Sequence, residues 1–237
     1  MTETTAQEHE RLREAVTRAR VILWDFDGPV CRLFAGHKPE SIARHLVDWL
    51  ADRGPAGLLD ERERLTEDPQ DVLRAVDRRR PGSELVAELE ERLTEEELRA
   101  SATAAPTEYA DRLIRTWTAT GSRLAITSNN SPQVVRAYLD GRGLTGCFAP
   151  HIYGRTGDVR RLKPDPHCLN RALDAMGAAP AVALMIGDSL MDLTAAHTAG
   201  VEFLGYARDE EKRALLHESG ADHVVTSLEP LLRMLGR

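Results

Sequence analysis

Carboxylates follow two of the short apolar runs in this 237-residue chain. Asp25 and Asp27 come directly after the run at residues 21–24, and Asp188 comes just after the run at residues 181–186. Carboxylate oxygens can attack an electrophilic centre, carry protons or bind a hard divalent cation. Because the carboxyl ends of parallel strands open on one crevice of a sheet, side chains that follow different strands meet there. The sequence therefore predicts one shared acidic site.

Polar groups of other types occupy comparable positions. Thr127, Ser128 and Asn129 follow a third apolar run at residues 123–126, and Lys163 stands in a proline-rich loop. The chain has only three lysines against a large excess of arginine, so a lysine in this loop is informative. Hydroxyl, amide and ammonium groups supply the hydrogen-bond donors that the carboxylates lack.

The elements that position these groups alternate in type along the chain. Apolar runs that are typical of buried strands are separated by segments with helical periodicity, beginning with a leader helix at about residues 7–20. This alternation is typical of a doubly wound α/β domain with a parallel, Rossmann-like sheet. The predicted strands lie at residues 21–24, 123–126, 148–153, 181–186, 201–206 and 223–226.

The segment between the first two strands has a different character. Leucines, an isoleucine and a tryptophan recur there at helical spacing, and breakers flank the segment at Gly36, Pro39 and Pro106. We therefore predict an inserted α-helical cap at residues 35–105. Residues 1–34 and 106–237 would form the α/β core.

A glycine-rich stretch at residues 141–146 matches the pattern GxGxxG. A dinucleotide site requires a strand before this pattern and a helix that starts within it. Here a predicted helix precedes the glycines and a predicted strand follows them. We therefore predict that they end a helix and turn the chain.

Composition argues against several classes of partner. The net charge of −7 and the pI near 5.7 disfavour binding to nucleic acid or to an anionic membrane surface. Three cysteines without a CxxC pair support neither a disulfide framework nor a zinc ribbon. The polar amino terminus lacks the pattern of a secretory signal, and no apolar stretch approaches the length of a membrane span. We expect a cytoplasmic protein that acts on a small molecule.

Taken together, the motifs resemble those of the haloacid dehalogenase superfamily, in its phosphatase branch with a helical cap. The resemblance covers nearly the whole chain beyond the leader, and the insert lies between the first two motifs as in that family. One departure is Pro29, where the family usually has threonine or valine. In chain order the motifs are Asp25-x-Asp27-Gly28, Thr127, Lys163-Pro164-Asp165-Pro166 and Gly187-Asp188-x-x-x-Asp192.

This resemblance implies a phosphatase mechanism. Phosphate esters are anionic and hydrolyse very slowly in water, so a catalyst must neutralise charge and supply a positioned nucleophile. Asp25 would attack phosphorus and form an aspartyl phosphate, while Asp27 would protonate the leaving oxygen and later deprotonate water. Thr127, with the backbone N–H of Ser128, would bind a phosphoryl oxygen, and Lys163 would supply positive charge.

A magnesium site is also implied by the resemblance. Asp25, the backbone carbonyl of Asp27 and Asp188 would be ligands, because Mg²⁺ prefers hard oxygen ligands beside a bound phosphate. Asp192, one helical turn after Asp188, would orient a metal-bound water or Lys163. A divalent cation would also relieve the repulsion among several gathered carboxylates.

The predicted cap would close on the substrate and exclude water. Candidate substrate contacts on this side are His37 in the connection to the cap, Arg79 in the run at residues 78–80, and Asn129. A charge run is usually a solvated face, so we favour that interpretation for Arg79. For His37 we favour a satisfied or exposed side chain over a functional one.

Three functions are compatible with the sequence. The leading hypothesis is a Mg²⁺-dependent phosphatase for a small phosphorylated metabolite, and Asp27 favours it over carbon–halogen cleavage because it can protonate an alkoxide. A phosphomutase similar to the β-phosphoglucomutase group would use the same core residues. A non-catalytic binding or regulatory protein would have lost Asp25, Asp27 or Lys163, and none is missing. The sequence predicts neither the substrate nor the oligomeric state.

Overall fold

The computed structural model describes residues 3–55 and 57–236. Two sheets lie in this part of the chain, one of six strands and one of two. The strands are β1 (Val21–Trp24), β2 (Cys31–Arg32), β3 (Ala105–Pro106), β4 (Arg123–Thr127), β5 (Ile152–Tyr153), β6 (Ala183–Gly187), β7 (Glu202–Tyr206) and β8 (His223–Val225).

The larger sheet has the order β5-β4-β1-β6-β7-β8, and every neighbouring pair in it is parallel. Trp24 at the end of β1 pairs with Ile126 on one side and with Ile186 on the other. The three central strands therefore end at the same level, next to the loops that carry the predicted site. This topology confirms the predicted doubly wound α/β class.

Helices cover both faces of this sheet and fill the insert. Within the described residues, none of them combines the length and apolar character needed to cross a membrane. The α-helices are α1 (Glu3–Arg18), α2 (Pro39–Arg53), α3 (Glu61–Arg64), α4 (Pro69–Arg79), α5 (Glu84–Ser101), α6 (Ala110–Ala119), α7 (Pro132–Gly141), α8 (Thr145–Phe148), α9 (His167–Met176), α10 (Leu190–Ala199), α11 (Glu210–Glu218) and α12 (Glu229–Leu235).

Alternation of side chains along the strands creates two apolar cores, one on each face of the sheet. On one face, Trp24 belongs to a cluster with Trp117 of α6, and the two rings meet edge to face at 5.7 Å. On the other face, Leu23 belongs to a cluster with Met185 of β6 and Leu173 of α9. Because β1 is buried on both faces, it reads as a continuous apolar run in the sequence.

Between β2 and β3, helices α2 to α5 form the insert, which has a third apolar core that includes Leu46, Leu73 and Leu89. The chain enters and leaves the insert through β2 and β3, which pair antiparallel, with Arg32 opposite Ala105. This short ribbon was not predicted from the sequence, because two-residue strands carry no periodic signal.

Several local predictions need adjustment. The predicted strand at residues 148–153 is reduced to Ile152–Tyr153, and Phe148 instead ends α8. Helix α12 was missed altogether. In the GxGxxG stretch, Gly141 is the last residue of α7 and Gly143 has a φ of 61°, which turns the chain as predicted. Gly146, however, lies within α8, where the sequence predicted no helix.

Candidate active site

Three neighbouring strands bring their polar loop residues to one cavity of about 420 Å³. The loops after β1, β4 and β6 contribute Asp25, Ser128 and Asp188, respectively. Lys163 reaches the same cavity from the loop that precedes α9. The structure thus brings together side chains that lie as far as 163 positions apart, from Asp25 to Asp188.

Lys163 contacts two carboxylates although it is only 2% exposed. Its Nζ lies 2.7 Å from Asp25 Oδ1 and 2.5 Å from Asp192 Oδ1, and it donates to the carbonyl oxygen of Thr127 at 2.9 Å. Asn129 holds the lysine backbone, because its Oδ1 accepts from Lys163 N at 2.7 Å and its Nδ2 donates to Lys163 O at 3.2 Å. Both the ammonium group and the backbone of Lys163 are therefore held in place.

Burial and neighbouring charges alter the ionisation of this pair. Burial raises the pKa of Asp25 to about 8; the charge of Asp192 adds to this effect and Lys163 opposes it. Burial alone would lower the pKa of Lys163, but the charges of Asp192 and Asp25 outweigh it and raise that pKa above its ordinary value. The lysine therefore stays charged, and a further cation near Asp25 would favour the ionised carboxylate.

Asp27 is oriented by the turn that follows β1. Leu33 N donates to Asp27 Oδ1 at 2.8 Å. Burial raises the pKa of Asp27 to about 7; the Leu33 hydrogen bond opposes this shift and the charge of Asp188 adds to it. Gly28, with a φ of 107°, lets the turn approach Asp188, since a Cβ at position 28 would lie 2.4 Å from Asp188 Cγ. A carboxyl group with this pKa can exchange protons near neutral pH.

Pro29 is compatible with this turn. The backbone hydrogen bonds across it run from Gly28 N to Cys31 O at 2.6 Å and from Cys31 N to Phe26 O at 3.2 Å. Neither bond uses a donor at position 29, so the missing N–H of proline costs nothing here.

Asp192 positions Asp188 at the start of α10. Its Oδ2 accepts hydrogen bonds from the backbone N–H groups of Asp188 and Ser189, both at 3.1 Å, and from Ser189 Oγ at 2.8 Å. Ser189 Oγ in turn accepts from Asp192 N, which completes a capping box. These hydrogen bonds therefore hold the loop after β6 against the first turn of α10.

Three carboxylates form a group that is suited to a hard cation. Oxygen atoms of Asp25, Asp188 and Asp192 lie within 4.8 Å of one another. Burial raises the pKa of Asp188, so a cation would be needed to hold this group fully ionised. Oxygen donors of this type are the ones that Mg²⁺ prefers, and the residues therefore fit that ion. The Asp27 side chain stands outside the group.

Thr127 does not line the cavity. Its side chain is fully buried, and its Oγ1 donates to Met185 Sδ at 3.4 Å. The expectation that its hydroxyl faces a phosphoryl group is therefore not met. Since successive side chains alternate along a strand, the next residue points the other way. Ser128 lines the cavity, with its Oγ 3.0 Å from Asn130 Oδ1.

Of the predicted cap-side contacts, only Asn129 reaches the cavity. His37 Nε2 instead lies 2.7 Å from Glu96 Oε2. Arg79 donates to Glu63 Oε1 at 2.9 Å, and neither of these residues lines the cavity. Both side chains are therefore paired with other residues.

A second lysine at the site was not predicted from the sequence. Lys212, in the first turn of α11, contacts Asp188 Oδ2, and Asp209 holds this turn by accepting from Lys212 N at 2.8 Å. Helix α11 follows β7, the neighbour of β6 in the sheet. The same strand-end reasoning that found Asp188 would have found Lys212 if it had been extended one strand further.

A buried ion pair joins the insert to the loop after β5. The side chains of Arg155 and of Glu97 on α5 are at most 1% exposed and form two hydrogen bonds with each other, at 2.9 and 3.0 Å. Glu97 also accepts from Asn130 Nδ2 at 3.0 Å and from Ser131 N at 3.1 Å. The loop that carries Ser128 is thus bound to a helix of the insert, through contacts that no sequence pattern marks.

The chain resembles characterised proteins in sequence. A family model for haloacid dehalogenase-like hydrolases matches residues 19–200. A phosphoglycolate phosphatase of Rhodospirillum rubrum is 37% identical over 95 residues, 38% of this chain and 39% of the relative. A pyrophosphatase PpaX of Halalkalibacterium halodurans is 29% identical over 134 residues, 55% of this chain and 60% of the relative. These matches span less than two thirds of either relative.

Solved structures share the fold at lower identity. CbbY from Rhodobacter sphaeroides, in complex with phosphate, has a TM-score of 0.64 at 23% identity, covering 92% of this chain and 100% of that chain. A subfamily IA hydrolase from Geobacter sulfurreducens has a TM-score of 0.59 at 19% identity, covering 92% and 97%. Because the family match extends over most of the sequence and includes Asp25, Lys163 and Asp188, the chain belongs to the haloacid dehalogenase-like hydrolases.

Proposed function

We propose that this chain is a Mg²⁺-dependent phosphatase that hydrolyses a small phosphorylated metabolite through an aspartyl-phosphate intermediate. The observation that carries the proposal is the 2.7 Å contact between Lys163 Nζ and Asp25 Oδ1, in a cavity that also contains Asp27, Ser128 and Asp188. A nucleophile, a proton carrier and phosphate-binding donors are thus within reach of one phosphoryl group. The names of the relatives support the same reaction class.

Asp25 and Asp27 divide the chemistry between them. Asp25 attacks phosphorus with a carboxylate oxygen, and the bond from phosphorus to the leaving oxygen breaks while Asp27 donates its proton to that oxygen. Water then attacks the phosphorus of the aspartyl phosphate, Asp27 takes up its proton, and the Asp25 carboxylate departs. The pKa of Asp27, which burial raises to about 7, suits a group that must both give and take a proton.

Ser128 and Lys163 bind the phosphoryl oxygens in this proposal. The Ser128 hydroxyl can rotate from Asn130 to a substrate oxygen, whereas the Thr127 hydroxyl is confined on the other face of β4. Lys163 neutralises charge on the phosphoryl group and remains oriented by Asn129 and Asp192.

Asp25, Asp188 and the backbone carbonyl of Asp27 would hold the magnesium ion. When bound, it supplies positive charge to the phosphoryl oxygens and to the gathered carboxylates. Asp192 keeps Asp188 in place for this task through its hydrogen bonds to the Asp188 and Ser189 backbone.

The insert at residues 35–105 serves as the cap in this proposal, and residues 1–34 and 106–237 as the catalytic core. Residues of α2 and α4 and of the loop before α4 complete the cavity lining, so the insert covers the phosphate site. Because the insert covers the site, it excludes water from the first step. The leaving group of the substrate then lies against the insert.

Phosphate release from para-nitrophenyl phosphate tests this function. The purified protein is expected to release phosphate when Mg²⁺ is present and to stop when a chelator removes the ion. Asp25→Asn is expected to abolish release, whereas Asp174→Asn, an exposed substitution on α9, should have no effect. Full activity of the Asp25→Asn protein would refute the assignment of the nucleophile. Isomerisation of a hexose phosphate without phosphate release would instead indicate a phosphomutase.

A further inference from the structure

The part of the cavity lining that comes from the insert is acidic. Glu40 lies in the first turn of α2, and Glu67 and Asp68 lie just before α4. Among the described residues that line the cavity, Lys163 is the single basic side chain. Carboxylic acids are far more numerous: Asp25, Asp27, Glu40, Glu67, Asp68, Asp188 and Asp192.

Glu40 has an unsatisfied carboxylate oxygen. Its Oε2 is buried and accepts no hydrogen bond from any residue that the structure describes. A buried acceptor without a donor is unfavourable, and such groups are usually satisfied by water or a ligand. Asp68, by contrast, is oriented by its role at the start of α4, where Oδ1 accepts from Gln70 N at 2.8 Å. The insert therefore places carboxylate groups in the cavity lining.

Arg74 of the insert contacts Lys163 and Met191, and its charge is already engaged. Its Nη1 lies 3.0 Å from Asp71 Oδ1, and its Nη2 donates to the carbonyl oxygen of Lys163 at 3.1 Å. It lines a separate cavity beside Asp77 and Leu162. Within the described lining of the catalytic cavity, a second anionic group of a substrate would therefore meet no cation from the insert.

Apolar side chains supply the remaining walls. Phe34, Pro39, Pro69 and Met191 line the cavity next to the acidic residues. A carbon chain or ring can pack against these surfaces while its polar groups reach the carboxylates. The volume of about 420 Å³ accommodates a small phosphorylated metabolite.

We propose that the leaving group of the substrate carries no negative charge and presents N–H or O–H donors to Glu40, Glu67 and Asp68. Amino alcohols and polyols have this chemistry. The inference rests on the proposed phosphatase function. A phosphorylated acid would place its second anion against the carboxylates of the insert, where it would be repelled. The chain would thus differ in substrate from its relatives named for phosphoglycolate and pyrophosphate.

Three esters test the proposal: phosphoethanolamine, glycerol phosphate and phosphoglycolate, compared by kcat/KM with Mg²⁺. The first two are expected to exceed phosphoglycolate by at least about tenfold, the effect of one unfavourable charge contact of about 1.4 kcal/mol. A preference for phosphoethanolamine would identify an ammonium as the donor, and a preference for glycerol phosphate would identify hydroxyls.

Substitutions in the insert test which residues are responsible. Glu40→Gln and Asp68→Asn are each expected to raise kcat/KM for phosphoglycolate, relative to glycerol phosphate, by about tenfold. Asparagine keeps an oxygen at position 68 for the start of α4, so the helix should persist. Glu61→Gln is the matched control, because Glu61 is an exposed acid of the insert outside this cavity, and it should leave the ratio unchanged.

Binding measurements separate this inference from the proposed function. Calorimetry of the three esters with the Asp25→Asn protein gives their ranking without turnover. If the wild-type protein releases phosphate neither from para-nitrophenyl phosphate nor from the three esters, the proposed function fails, and the binding ranking then shows only whether the cavity disfavours a second anion. If para-nitrophenyl phosphate is hydrolysed but the ranking is reversed, the inference fails and the proposed function stands. Tighter binding of phosphoglycolate, or binding of none of the three esters, would overturn the inference. So would a preference for phosphoglycolate that Glu40→Gln and Asp68→Asn leave unchanged.

Discussion

Replacing Glu97 with alanine is expected to destabilise the protein strongly, because it leaves the Arg155 guanidinium buried without its main partner. The wild-type pair is bidentate, and both side chains are at most 1% exposed. One ionic contact remains in the variant, since Glu90 Oε1 lies 3.0 Å from Arg155 Nε. The backbone N–H of Ser131 and the Asn130 amide also lose their acceptor.

The size of the effect follows from these contacts. Breaking a buried ion pair by removing one partner costs about 3–5 kcal/mol, and the remaining Glu90 contact places this case near the lower limit, about 3 kcal/mol. For a domain of this size, 1 kcal/mol corresponds to roughly 2–4 °C in Tm. The expected loss in Tm is therefore about 6–12 °C.

Thermal unfolding followed by circular dichroism measures this loss. Glu95→Ala is the matched control, because Glu95 lies on the same helix and is exposed, and its Tm should fall by less than about 2 °C. Glu97→Met combined with Arg155→Met should recover much of the stability, since an apolar pair removes the uncompensated charge. The KM for an aryl phosphate should also rise in Glu97→Ala, because the loop that carries Ser128 loses its support.

Equal Tm values for Glu97→Ala and Glu95→Ala would refute this reasoning. The pair would then contribute no net stability, and the insert would be held to the core by its other contacts alone. A double methionine variant less stable than Glu97→Ala would refute the second step, because the uncompensated charge would then not be the source of the loss.

Three further predictions concern the acidic site. Asp27→Asn should reduce phosphate release from an alkyl phosphate at least about tenfold more than from an aryl phosphate, because aryl oxides leave with less need of a proton; equal losses in steady-state assays would contradict this role. Lys212→Met should tighten Mg²⁺ binding severalfold in calorimetry, since the ammonium that contacts Asp188 competes with the cation; unchanged affinity would show that it does not. Without divalent cations, burial raises the pKa of Asp25 from 3.8 to about 8. Between these two pH values the native state binds more protons than the unfolded state, so Tm should fall as pH rises through that window. Thermal scans with and without Mg²⁺ check this, and the fall should be smaller both with the ion and in Asp25→Asn.

Residues at strand ends were predictable because sheet topology gathers them at one place. Asp25, Asp27 and Asp188 follow apolar runs whose strand character is unambiguous, and the parallel order of their strands brings them together. Thr127 shows the limit of this reasoning. It is itself the last residue of β4, and a shift of one position along a strand reverses the face to which a side chain points.

Contacts between the insert and the core were not predictable in the same way. Glu97 and Arg155 are 58 positions apart, and in the sequence Glu97 is one acid among several on a charged helix. Nothing in helical periodicity distinguishes a buried glutamate from its exposed neighbours. The acidic lining at Glu40 and Asp68 was missed for the same reason, since it depends on how α2 and α4 pack over the sheet.

The ribbon of β2 and β3 brings the two ends of the insert together. Arg32 and Ala105 are directly opposite each other, so the two points at which the chain leaves the core are only about 5 Å apart. A short turn could join Arg32 to Ala105 at little entropic cost. Inserts of different length could also be placed between these two residues without distorting the large sheet. Any replacement segment would, however, need an acidic residue where Glu97 now lies, because the buried guanidinium of Arg155 would otherwise have lost its main partner.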